Sequence, residues 1–121
     1  MSATLESDRS SAIRREPGLA LDMEGYLLDP EDWNEERASL LAADEDIELT
    51  DEHWQVIRFI RDWYEQNRVA VDARFVIRFL ADELGHGRQA KARLFELFPY
   101  GYVKQACRIA GMRKPRAWST G

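Results

Sequence analysis

Cys107 is the single cysteine of this 121-residue chain, and it stands in the most basic stretch of the sequence. A thiol acts as a nucleophile only in its thiolate form, which neighbouring positive charge stabilises. Lys104 and Arg108 flank Cys107 on one expected helix, and Arg113, Lys114 and Arg116 follow it. Residues 104–121 carry five Lys and Arg and no Asp or Glu, although the whole chain has 17 basic against 22 acidic residues and a net charge of -5. An acidic body with a basic tip argues against a domain-wide nucleic-acid binder and for a tail that meets an acidic or anionic partner. The plainer readings are a small apolar side chain packed in a helix for Cys107 and a solvated helix face for the cations.

Other chemistries find less support. His53 and His86 lie far apart and form no zinc-ligand spacing with Cys107, so no metal is expected. There is no paired acid and base, no nucleophile with a histidine in motif spacing and no phosphate-binding glycine loop. The chain is therefore at most a group carrier, with no self-contained active site and no cofactor. Trp54 and Trp63 stand at helical spacing, where aromatic residues usually belong to the core. One binding-module alternative is a helix-turn-helix over 72–98. Its second helix would offer Arg88, Lys91 and Arg93 to DNA, helped by Arg74 and Arg78 and opposed by Asp82, Glu83 and Glu96.

Positioning these residues falls to one small domain. At 45% hydrophobic and 32% charged residues the composition is that of an ordinary globular protein. No apolar run is long enough for a membrane span, and residues 1–16 lack the apolar centre of a signal peptide. A lone cysteine excludes a disulfide scaffold and suits a reducing cytoplasm.

The expected fold class is mainly α, a small orthogonal bundle of about five helices with a short N-terminal β-hairpin and a flexible C-terminal arm. Residues 1–16 are polar and aperiodic, and are expected to be a disordered leader. Residues 17–111 form the helical domain, and 112–121 the flexible tail. LALDMEGYLL alternates around Glu24-Gly25, which suits the hairpin. Asp29-Pro30 opens a first helix over 30–43, with Trp33, Arg37, Leu40 and Leu41 at helical spacing. Thr50 caps a central second helix whose buried stripe runs through Val56, Ile57, Ile60, Trp63, Tyr64 and Asn67. His53, at its start, is read as a cap or packing residue. A third helix over 72–84, broken by Gly85-His86-Gly87, precedes a fourth over 88–98 that Pro99 ends. A fifth, over 102–110, carries Cys107 and stops at Gly111.

Three segments, MEGYLLDPEDWNEE, IELTDEHWQVIRFIRDWYE and LFPYGYVKQACRIAGMRKP, together resemble the DsrC/TusE family from about Asp22 to Pro115. That family is known as the gamma subunit of dissimilatory sulfite reductase and as the sulfur-relay protein of tRNA thiolation. The resemblance implies a sulfurtransferase-type persulfide carrier working with sulfur-donor or sulfur-acceptor proteins, and in one branch with a sulfite reductase. It implies a mobile arm with an outer cysteine near the C-terminus and, in the sulfite-reductase branch, an inner cysteine that can pair with it. Cys107 matches the inner one and is the single candidate carrier. The outer position falls at or near Trp118, where no cysteine stands. Two prolines of the family pattern are also replaced, by Tyr102 and by Arg113. Family members lacking one or both cysteines have been suggested to be regulatory, so a docking protein that passes no sulfur is the alternative role.

Overall fold

The structure is a computed structural model that describes residues 12–114. Among them the chain is helical: α1 Glu35–Asp44, α2 Asp51–Asn67, α3 Ala73–Asp82, α4 Ala90–Leu97 and a π-helical segment Tyr102–Cys107. Short 3-10 helices stand at Ile13–Arg15, Pro30–Asp32 and Gly87–Gln89. None of these helices is long and apolar enough to cross a membrane.

α2 is the axis of the bundle because its i, i+1, i+4 apolar positions, Val56, Ile57 and Ile60, are all fully buried. Thr50 starts it with a capping box, accepting from the His53 amide while His53 Nδ1 accepts from the Thr50 amide at 3.0 Å. Since that leaves Nε2 to carry the proton, His53 is the neutral tautomer that donates to the Leu97 carbonyl at 2.8 Å, tying α2 to the end of α4. Asp72 caps α3 by accepting from the Arg74 amide at 2.8 Å. α3 buries Val76 and Leu80, while Phe59–Phe79 and Trp63–Phe75 stack at 4.5 and 5.0 Å along its half-buried junction with α2.

Three expectations need correction. No β-strand occurs among the described residues, and the hairpin contracts to a single antiparallel bridge, Leu21 with Leu27. The Asp22 carboxylate explains this. It accepts from the amides of Glu24 and Tyr26, at 2.8 and 2.9 Å, and so folds the stretch into a side-chain-closed turn. The first helix begins later than Pro30, for Asp29-Pro30 opens only a 3-10 turn and Asn34 caps α1 by accepting from the Arg37 amide at 2.8 Å. Asn67, placed on the buried stripe of α2, is exposed.

The expected leader and tail fall partly on residues 1–11 and 115–121, outside the described residues. Within the described part, Ile13 and Met112 are 0% and 1% exposed and belong to the core.

Candidate functional site

Gly101, at φ 107, turns the chain after Pro99 into the π-helical segment. A π turn is wider than an α turn and often marks a functional site. Here it ends on Cys107, whose side chain has 0% exposure. Tyr102, at the start of the segment, is also buried, and its hydroxyl donates to the Val71 carbonyl and contacts the Cys107 thiol. Burial pushes the thiol pKa up to about 12, and the bond from Tyr102 opposes that only in part. In this conformation Cys107 is a protonated, inaccessible thiol.

What covers it is a set of directional contacts between residues 101–112 and the N-terminal third. Arg108 is 5% exposed; its Nε donates to the Gly25 carbonyl at 3.0 Å and its Nη atoms bind Glu45 and Asp44 at 2.5 and 2.6 Å. Burial works against the Arg108 charge, but the two carboxylates outweigh it and raise its pKa. Gly25, at φ 91, lets the guanidinium lie on the turn: a Cβ there would come within 2.5 Å of Nη2. Gln105 Nε2 donates to Glu45 at 3.1 Å, and the Tyr26 hydroxyl to the Val103 carbonyl at 3.2 Å. Burial, first, and then the nearby Cys107 and Glu24 raise the Tyr26 pKa to about 12.

On the opposite flank the Trp33 indole donates to the Ile109 carbonyl at 2.8 Å, and Arg61 donates to the Ala110 carbonyl at 3.1 Å. The Arg61 guanidinium sits 4.5 Å from the Trp33 ring centre. Gly111, at φ 80, is pressed against this indole, and a Cβ would come within 2.4 Å of it.

Of the basic residues singled out from sequence, Lys104, Arg113 and Lys114 are exposed and Arg108 is turned inward. Lys104 and Lys114 line a cleft of about 750 Å³ with Tyr26, Tyr100, Val103 and Arg108. Lys114 pairs with Glu24 at 2.7 Å across open solvent. Arg116 lies outside the described residues. Asp44, Glu45, Tyr26 and Trp33 were not singled out as partners of the tail, and no local pattern announces them. For Tyr102 there was one signal, its departure from the family's proline.

The helix-turn-helix alternative is not favoured. Arg88 and Lys91 are exposed, but the Arg93 guanidinium is committed to Glu52, at 2.5 Å, and Glu96, at 3.0 Å. Glu52 also binds His86, in the turn between the two helices. The cluster joins the start of α2 to α4 and presents carboxylates where a phosphate backbone would have to approach.

The comparisons agree with this fold and with the family motifs. The family described as "DsrC like protein" matches residues 15–117. A protein named sulfurtransferase TusE homolog, from Haemophilus influenzae, is 43% identical over 94 residues, covering 78% of this chain and 86% of that protein. The solution structure of Allochromatium vinosum DsrC superposes with a TM-score of 0.73 at 40% identity, over 84% of this chain and 90% of that one. The oxidised gamma subunit of dissimilatory sulfite reductase (DsrC) from Archaeoglobus fulgidus gives 0.70 at 35% identity, over 84% and 92%. A bundle of this shape, carrying these three motifs in order over most of its length, belongs to the DsrC/TusE family of sulfur-relay proteins.

Proposed function

We propose that this chain accepts and passes sulfur through Cys107, and that it does so only when residues 101–112 open. One observation carries the reading: the single thiol lies fully buried at the end of a π turn that side-chain contacts hold to the body. Such a segment opens without unfolding α2 and α3, because the contacts that hold it are a few polar ones. Once exposed, the thiolate attacks the outer sulfur of a donor persulfide, R–S–SH. A Cys107–sulfur bond forms, the donor's sulfur–sulfur bond breaks, and R–S⁻ leaves to take up the proton lost by the Cys107 thiol. The product is Cys107–S–SH.

With no second cysteine in the chain, sulfur leaves by attack of an acceptor's thiol and not by internal disulfide formation. Lys104, Arg113, Lys114 and Arg116 surround the tail and dock the partner, whose matching surface is acidic. Arg108 has no part in docking while it is paired with Asp44 and Glu45. Partners of this kind are cytoplasmic sulfur-donor and sulfur-acceptor proteins, a sulfite reductase among them, as the name of the Archaeoglobus fulgidus neighbour supports.

Intact-protein mass spectrometry tests this after incubation of reduced protein with polysulfide, beside Cys107→Ser. The parent is expected to gain one or more sulfur atoms, slowly and reversibly by reductant, and Cys107→Ser none. A parent that gains nothing, even under mild urea that opens the segment, refutes the carrier role and leaves a docking protein that transfers no sulfur.

A further inference from the structure

Tyr102 occupies a position where the family pattern has proline, and it brings to Cys107 a hydroxyl that proline lacks. The ring is 1% exposed, and the hydroxyl reaches two groups: the carbonyl of Val71, in the link between α2 and α3, and the Cys107 thiol. A tyrosine hydroxyl has one proton to donate. That proton goes to Val71, so the neutral thiol must be the donor in its own contact, S–H to Oη. An ionised sulfur has no proton and can only accept. The Tyr102 O–H must then turn from Val71 to the sulfur, and the fully buried Val71 loses its carbonyl partner.

We infer that Tyr102 is the positioning residue of Cys107, holding the thiol inward while it is protonated and releasing Val71 when it ionises. Loss of the thiol proton, which leaves to a base in solvent, thus weakens a contact that fastens the π-helical segment to the α2–α3 link. Activation of the nucleophile and loosening of its cover become one event. That this event admits sulfur rests on the carrier reading above, whereas the grip of the hydroxyl on the thiol does not.

The test uses the full chain and no sulfur donor, so its failure is separate from failure of the carrier reading. Because Cys107 is the single cysteine, the infrared S–H stretching band reports on it alone. Tyr102→Phe is expected to shift that band to higher wavenumber, since the thiol loses its acceptor. It is also expected to raise the rate of Cys107 alkylation by iodoacetamide about tenfold at neutral pH, the scale of one buried hydrogen bond lost. A control, Phe79→Leu, perturbs the α2–α3 face away from the thiol, and matching it to Tyr102→Phe in global stability removes the effect of general loosening. An unmoved S–H band, or alkylation no faster than in the matched control, overturns the proposal. Should Tyr102→Phe fail to fold, replacing the tyrosines with 3-fluorotyrosine weakens the phenol oxygen as an acceptor. The same band must then shift upward, and a fixed band again overturns it.

Discussion

Replacing Arg108 with methionine removes the charge from the tail's main fastening and keeps most of the side chain's length. In the fold the guanidinium spans three acceptors, the Gly25 carbonyl, Asp44 and Glu45, with 6% of its side chain exposed. Breaking a buried ion pair by deleting one member costs about 3–5 kcal/mol, mostly because the partner is left charged and unpaired. Asp44 and Glu45 retain 16% and 18% side-chain exposure, so water recovers part of their loss. The expected cost of Arg108→Met is therefore about 2–3 kcal/mol. For a domain of this size that lowers the midpoint of thermal unfolding by about 10 °C. If the fastening also gates the thiol, iodoacetamide alkylation of Cys107 in native buffer rises about 30- to 150-fold, the same free energy expressed as an opening constant. The triple variant with Asp44→Asn and Glu45→Gln should recover more than half of the stability, because the cost resides in the stranded carboxylates. Calorimetry and alkylation kinetics on the single and triple variants decide the matter. A single variant of parental stability, or a triple variant no better than the single, refutes the reasoning.

Two further outcomes follow from the same geometry. Gly111→Ala places a methyl group against the Trp33 indole at a backbone angle that disfavours side chains; urea unfolding should show a loss of about 2–4 kcal/mol, with faster Cys107 alkylation. For pH, burial lowers the His53 pKa below 6.5 in the folded state while the capping box holds the neutral ring. The unfolded chain then binds the extra proton first, so stability is intact above about pH 6.5 and declines below it, by at most about 1.4 kcal/mol per pH unit. Glu52 adds a second window. Its bond from Arg93 holds its pKa below 4.5 against the opposing effect of burial, so its contribution is present above that pH and lost beneath it. Urea titrations across pH 3.5–8 check both, and a flat profile between about pH 6.5 and 5 removes His53 as the cause.

Local signals carried much of the bundle. Thr50 and Asp72 cap helices where their hydroxyl and carboxylate suggested, and the α2 stripe follows the 3.6-residue period at Val56, Ile57 and Ile60. The failures occur where a side chain competes with the backbone. Asp22 takes the amides that a hairpin would need, and Asn34, not Asp29, caps α1. The site was less legible for a different reason. Arg108 sits beside Cys107 on a basic segment and invites a partner-facing reading, yet its partners are 63 and 64 residues away in an acidic link that looked like solvated surface. Nothing local encodes that pairing. The π turn is likewise silent in sequence, and Tyr102 became informative only as a departure from the family pattern.

The clamp between Arg108 and Gly25 joins positions 83 residues apart, and that between Trp33 and Ile109 joins positions 76 apart. Contacts of such long separation close late, because a large loop must be organised before they repay its entropy. During synthesis the turn at 22–26 and the indole of Trp33 leave the ribosome well before the segment that completes them. Helices α2 to α4 can pack in the meantime, as they form from near neighbours. Cys107 is thus the last core side chain but a few to be translated, and its cover closes only as Arg108 and Gly111 arrive. A newly made chain passes through a stage with a folded body and an open thiol, the arrangement that the mature protein must recreate whenever it exposes Cys107.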